Sequence, residues 1–121
     1  AAAKVKAARQ NKRKDLRGEN FANRNMSGGN YTGSDLRDAK MSNSDFRQSN
    51  FRNADMRNAN AVGANFGGSD FRGADLSNCD FRGADLSNCD FRGAKTRGAK
   101  FDRAQFTNAL TDSGIGKQPT S

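Results

Sequence analysis

The chain has 121 residues, with 21 lysines and arginines against 13 aspartates and glutamates, and a formal net charge of +8. Only 17 residues are Leu, Ile, Val or Phe, a share at which composition alone predicts disorder. Histidine, the commonest general base and metal ligand, is absent, and no apolar run reaches the 18 or so residues of a membrane span. Because the first residue is Ala1 and not Met, we expect a processed or trimmed N-terminus.

The first segment, residues 1–14, is rich in alanine and in basic residues. It carries six positive charges and no negative charge, whereas residues 15–121 carry fifteen positive and thirteen negative charges. Alanine favours helices, so one interpretation is a short N-terminal helix that caps the next domain. The alternative is a basic arm that binds a partner through its cationic side chains. These side chains are Lys4, Lys6, Arg9, Lys12, Arg13 and Lys14.

In the second segment, residues 15–110, a large apolar residue occupies every fifth position. These central residues run from Leu16 to Phe106 without a change of register, and seventeen of the nineteen are large and apolar. The exceptions are Ala61 and Thr96. A disordered chain has no reason to keep such a register, so the segment is predicted to fold as a repeat domain.

The other four positions of the repeat are also regular. From Ser34 onward the residue two before the centre is Ala, Ser or Cys, the next is mostly Asp or Asn, and the residue two after the centre is mostly Gly or Asn. A small residue beside a large one suits a narrow interior, and Gly and Asn tolerate turns. A turn every five residues winds the chain into coils that pair edge to edge as parallel strands, which predicts a solenoid.

The most regular stretch is the decamer FRGADLSNCD, which occurs twice in succession, at 71–80 and 81–90. Its ADLSN units, at 74–78 and 84–88, match the consensus A-(D/N)-(L/F)-x-x, so the chain resembles the pentapeptide-repeat family. The resemblance implies an all-β fold, a right-handed parallel quadrilateral β-helix with four pentapeptides per coil. It implies about five coils here, stacked at roughly the 4.8 Å spacing of neighbouring strands.

The repeat has departures from the consensus. Lysine replaces the usual Asp or Asn at positions 40, 95 and 100. Lys14, Glu19 and Arg24 occupy the small position, so we expect the first coil to be irregular or open. Cys79 and Cys89 also take the small, inward position. In the family geometry ten residues are half a coil, which places the two cysteines on opposite walls, too far apart for a disulfide. We expect buried thiols and no metal site.

Arginines follow many of the central residues, and residues twenty apart stack on one face in the implied coil. One column contains Arg17, Arg37, Arg57 and Arg97, with Ser77 interrupting it. A second column on the adjoining face contains Arg52, Arg72 and Arg92. Aspartates run beside both columns, so one interpretation is a surface ladder that neutralises itself. The other is a strip that binds an acidic partner.

The last segment, residues 111–121, is polar, contains Gly and Pro, and shows no helical pattern that would cap the final coil. It is predicted to be a tail. Two alternatives follow for the C-terminal end of the solenoid: the tail protects its edge, or the end is a docking surface.

The function predicted from these features is not enzymatic, because no nucleophile–base pair, metal cluster or cofactor motif is present. We expect no cofactor and a structural or protein-interaction module that docks onto a larger protein assembly. The family resemblance implies a photosynthetic complex in the chloroplast, thylakoid-associated or lumenal, with the bacterial cytoplasm as the alternative.

Two other functions were weighed. The basic arm could bind nucleic acid or an anionic membrane surface, although it has no aromatic residue for base stacking. Some family members inhibit gyrase by mimicking DNA, which requires an acidic rod. The net charge of +8 argues against that function here.

Overall fold

The structure, a computed structural model, describes residues 15–120. The expected helix or basic arm at residues 1–14 lies outside the described residues. From residue 15 onward, parallel bridges join residues twenty apart, beginning with Asp15 and Asp35 and ending with Asp90 and Leu110. Four such columns of bridges succeed one another along the chain, so each coil has twenty residues and four faces. We number the faces 1 to 4 by their first central residues, which are Leu16, Phe21, Met26 and Tyr31.

Each pentapeptide ends in a tight turn. The amide of Ala54 donates to the carbonyl of Phe51 at 3.0 Å, and Asn53 between them has a φ of 57°. One coil later Gly73 takes the same place, with a φ of 69°. Glycine and asparagine adopt this left-handed conformation at low cost, which explains their recurrence two residues after the centre.

The central residues form the core. On face 4 the rings of Tyr31, Phe51, Phe71 and Phe91 stack, with 5.0–5.2 Å between successive centroids. Rings on neighbouring faces meet edge to face, as Phe66 and Phe71 do at 5.3 Å. Such aromatic pairs add to the free energy of burial, so one large apolar residue in five suffices for a continuous core.

The small positions carry hydrogen bonds as well as space. Ser44 Oγ donates to the carbonyl of Phe21 in the preceding coil at 2.6 Å. Cys79 Sγ makes the equivalent contact with the Met56 carbonyl at 2.7 Å, and Cys89 Sγ with its counterpart at 3.0 Å. Both cysteines are buried and free, which confirms the expectation of buried thiols. Burial raises the pKa of Cys89 to about 12, so this thiol stays protonated and unreactive at neutral pH.

The expectation of an irregular first coil was wrong. Residues 15–34 form the same parallel bridges to the second coil as later coils do to theirs. Arg24 is exposed and Glu19 half-buried, so neither large side chain displaces a core residue. Gly29 takes the small position of face 4, and a Cβ there would lie 2.5 Å from the Tyr31 ring. The absence of a side chain at Gly29 therefore makes room for that ring.

The C-terminal tail folds back on the last coil. Strand β1, Leu110–Thr111, pairs antiparallel with strand β2, Gly114–Ile115. The Gly116 amide donates to the Ala109 carbonyl at 2.7 Å, and Pro119 is buried. The sequence did not predict this hairpin. Within residues 15–120 there is no α-helix, and so none long and apolar enough to cross a bilayer.

Candidate partner-binding surface

The arginines of face 1 are held by aspartates two residues earlier. Arg37 Nε donates to Asp35 Oδ1 at 2.9 Å, and its Nη2 donates to Oδ2 at 2.6 Å. Arg17 and Arg57 make the same two-pronged contact with their own aspartates. The Arg37 amide also donates to Asp35 Oδ1, at 3.2 Å. One carboxylate therefore fixes both the backbone turn and the guanidinium.

The same arginines also lie near the aspartate of the next coil. Arg37 Nε is 3.8 Å from Asp55 Oδ2, and Arg57 Nε is 3.9 Å from Asp75 Oδ2. Positive and negative groups thus alternate along the face. Partly exposed pairs of this kind contribute about 0–1 kcal/mol each, so their main effect is to hold the guanidinium groups in place.

These guanidinium groups keep a donor for a partner. The contact with aspartate uses Nε and Nη2, and no protein atom of residues 15–120 accepts a hydrogen bond from Nη1 of Arg37. The side chains of Arg17, Arg37 and Arg57 are 37–55% exposed. Face 1 therefore presents a row of oriented cations at the spacing of neighbouring strands, about 4.8 Å.

The second column, on face 4, is less uniform. Arg72 and Arg92 are held by Asp70 and Asp90 through contacts of 2.6–3.2 Å. Arg52 follows an asparagine, so its ion pair is a longer one, 3.8 Å from Nε to Asp70 Oδ2. The structure therefore stacks the arginines as the sequence predicted, but it anchors them to different degrees.

Arg97, the last member of the face 1 column, has a different environment. It follows Lys95, where the other arginines of that column follow an aspartate, and it has no ion pair within residues 15–120. Ser77, the interruption in the column, donates to Asp75 Oδ1 at 2.6 Å. The ladder thus ends one coil before the rod does.

Two arginines outside the columns were not selected from the sequence. Arg47 on face 3 and Arg82 on face 2 make the same two-pronged contact with Asp45 and Asp80. The signal was present, because both lie in the triplet Asp-Phe-Arg. They have no arginine directly above or below them, which makes them matched controls for the columns.

The aspartates are charged at any physiological pH. Hydrogen bonds from Arg37 hold the pKa of Asp35 below its usual value, and Arg57 does the same for Asp55. Burial works against ionisation of Asp70, but hydrogen bonds from Arg72 outweigh it and the pKa is lowered. The ladder therefore keeps its alternating charges at neutral pH.

Cations without such partners collect at the C-terminal end. Lys95 and Lys100 occupy the phase that holds aspartate in the preceding coil, and both are exposed. Arg103, also exposed, takes a φ of 61°, where Gly63 and Gly83 stand on the same face. The sequence analysis noted both lysines as departures but did not select them as binding residues.

Other chemistry has little support in this surface. No three His, Cys, Asp or Glu side chains of residues 15–120 converge as metal ligands would. The six cations of residues 1–14 lie outside the described residues, so their role as an arm stays a prediction.

Comparison with known proteins follows the repeat. The family model of pentapeptide repeats matches residues 15–53, 49–88 and 84–109, with eight copies. A pentapeptide repeat protein from Nostoc Pcc 7120 has a similar structure, with a TM-score of 0.65 and 24% identity, over 84% of this chain and 94% of that one. No curated protein sequence is similar enough to count as a match.

Two other solved structures align less closely. A pentapeptide repeat protein from the Arabidopsis thaliana thylakoid lumen is 28% identical over 78% of this chain and 66% of that one, with a TM-score of 0.40. QnrB1, a plasmid-mediated fluoroquinolone resistance protein, is 18% identical over 78% and 64%, with a TM-score of 0.42. Because the repeat model spans residues 15–109, this chain belongs to the pentapeptide-repeat family, whose members fold as right-handed quadrilateral β-helices.

Proposed function

We propose that the protein is a non-enzymatic interaction module, a rigid rod of roughly five coils and about 24 Å that docks onto a larger protein assembly. The observation that carries the proposal is the row of exposed arginines on face 1, each fixed by aspartate and each with Nη1 uncommitted. Proteins of this family are in general structural repeat modules, and this supports a role without catalysis.

Fixed arginines suit docking for an energetic reason. Ordering a long side chain on binding costs about 0.5–1.5 kcal/mol. Asp35 and Asp55 have already ordered Arg37 and Arg57, so a partner that accepts hydrogen bonds from these groups avoids most of that cost. The expected partner surface is acidic or rich in carbonyl oxygens, matching the columns on faces 1 and 4.

We further propose a photosynthetic complex as the assembly, with the protein at the thylakoid of a chloroplast, and the bacterial cytoplasm as the alternative location. The family's frequency in cyanobacteria and chloroplasts supports this choice. Residues 1–14 are proposed as a helical cap or as a partner-binding arm.

The test is chemical crosslinking in native extract, followed by identification of captured proteins. The variant Arg37→Gln with Arg72→Gln removes one anchored arginine from each column. We expect it to reduce capture, whereas Arg47→Gln with Arg82→Gln, equal in charge and in lost aspartate contacts, keeps it. Equal capture by both variants, or no captured protein, would overturn the proposal.

A second candidate function rests on the charge of residues 1–14, which carry six cations and no anion. In this proposal the arm binds nucleic acid or an anionic membrane, and affinity falls steeply with salt. Deleting residues 1–14 should then abolish retention on heparin and on anionic vesicles. Unchanged, salt-insensitive retention would exclude the arm.

A further inference from the structure

The last coil leaves backbone donors without acceptors. In the preceding coil the amides of Leu76, Phe81 and Leu86 donate to carbonyls one coil onward at 2.7–2.8 Å. Their counterparts in the last coil have no hydrogen-bond acceptor anywhere in residues 15–120. These counterparts are Thr96, Phe101 and Phe106. Unpaired donors at a sheet edge are a template for another strand.

The tail covers this end without pairing with it. On face 4 strand β1 closes the edge, since the Phe91 amide donates to the Leu110 carbonyl at 2.7 Å. On faces 1 and 2 the segment 118–120 lies across a groove of about 320 Å³ from Thr96 and Phe101. It makes no backbone hydrogen bond to them. Faces 1 to 3 therefore remain open for strand addition.

The same edge carries an excess of positive charge. Residues 95–110 contain four cations and one anion, Asp102. No cation of this set has an ion pair within residues 15–120. The set is Lys95, Arg97, Lys100 and Arg103, which we call the basic edge. Arg103 also holds a left-handed conformation that glycine would adopt more cheaply, so stability does not explain its presence.

The preceding coils show what such an edge would bind. There the arginine after a central residue lies 3.7–3.9 Å from the aspartate that begins the next coil on that face, as Arg37 does from Asp55 and Arg72 from Asp90. Arg97 stands in the same phase, but Ile115, twenty residues after Lys95, has left the ladder for strand β2. A carboxylate on an added strand would restore the contact.

We infer that the basic edge binds an acidic, extended segment of a protein partner, which adds to the ladder as one more strand. The segment's carbonyls accept from the amides of Thr96 and Phe101, and its carboxylates meet Arg97, Lys95 and Lys100. A second copy of this chain fits less well. Its first coil, residues 15–34, has no net charge, and the segment before it carries six cations. The inference rests on the proposed docking function and names the edge and the partner's chemistry.

The test uses the full chain and a fluorescein-labelled decapeptide, Ala-Asp-Leu-Ser-Asn repeated twice. We expect binding by fluorescence anisotropy, and loss of binding when asparagine replaces both aspartates of the peptide. Lys95→Asp with Lys100→Asp should weaken binding at least about fivefold, since even an exposed ion pair reaches about 1 kcal/mol. Lys40→Asp, the same change in the same phase of the second coil, should leave affinity unchanged.

Amide hydrogen exchange by NMR locates the bound peptide. We expect Thr96 and Phe101 to gain protection and Phe91, already paired, to stay unchanged. Equal affinity for the two peptides, equal affinity of the Lys95/Lys100 and Lys40 variants, or no new protection would each overturn the inference. A dimer in light scattering that protects these amides without peptide would replace the acidic segment by a second copy.

The same Lys95/Lys100 variant separates this inference from the proposed function. If it captures the cellular partner as well as the unmodified protein does, the inference fails while the docking function stands. If the peptide result holds and crosslinking captures no protein, the docking function fails, and the edge remains a binding site for acidic strands.

Discussion

The middle coils and the last coil share one backbone pattern but differ in what they leave open. Around Phe71 every central amide has an acceptor, and the arginines of that coil are paired with aspartates. Around Thr96 three central amides lack acceptors and the cations lack carboxylates within residues 15–120. The comparison shows that a perfect repeat satisfies its own groups, so binding capacity collects where the repeat stops.

The largest expected contrast lies in the core. Phe71 is fully buried and stacks on Phe51 and Phe91, whereas Phe106 in the last coil is half-buried. Phe71→Ala should lower the free energy of unfolding by about 3–5 kcal/mol. Phe106→Ala should cost about 1–2 kcal/mol, because less apolar area is lost. Equal losses in urea unfolding would show that the two coils are packed alike.

Acid should destabilise the anchored coils. Because Asp35, Asp55 and Asp90 have pKa values lowered by arginine hydrogen bonds, their contribution to stability is complete above the unfolded-state value near pH 4. It is lost as the pH falls through the folded-state pKa values. Thermal melting should therefore weaken below about pH 4. Arg37→Gln with Arg72→Gln should flatten this dependence, and an unaltered pH profile would contradict the assignment.

A buried hydroxyl gives a smaller effect of opposite sign. Thr96 is 4% exposed, and its Oγ1 has no hydrogen-bond partner. Thr96→Val keeps the shape, removes the unpaired group and should stabilise the protein by about 1 kcal/mol. Thr111 is the control, because its hydroxyl donates to Gly114 and accepts from Ser113. Thr111→Val should destabilise by about 1 kcal/mol, and the same sign for both variants would refute the explanation.

The smallest effect concerns the ladder. Lys95→Asp gives Arg97 the aspartate that Arg57 has, and should stabilise by up to about 1 kcal/mol. Lys40→Asp adds a carboxylate at the same phase without an arginine after it, because Ser42 follows. The difference between the two melting curves therefore isolates the arginine contact. A larger loss for Lys95→Asp than for Lys40→Asp would show that the last coil does not accept the pairing.

The core, the columns and the buried thiols were predictable because period five fixes which side chains stack. The hairpin at Leu110–Ile115 and the buried Pro119 were not, because no local pattern says where a polar tail settles. The first coil was judged too cautiously. Glu19 and Arg24 break the pattern in sequence, yet neither enters the core.

The open end was partly visible in the sequence. Lys95 and Lys100 interrupt the aspartate phase, but the pattern alone could not show that Thr96 and Phe101 also lose their acceptors. That fact depends on where the chain leaves the ladder, which the structure places at Leu110–Thr111. The role of the arginine columns in binding stays a prediction.

The twenty-residue register also governs how such a chain can change length. Duplication of a decamer, as at 71–80 and 81–90, adds half a turn. The interior accepts it unchanged, because every fifth residue still points inward. Everything downstream, including Lys95 and Arg97, is carried to the opposite side of the rod. Inheritance by whole pentapeptides is therefore silent inside the molecule and rewrites its outer surface, so one duplication can give a new arrangement of charges without a new fold.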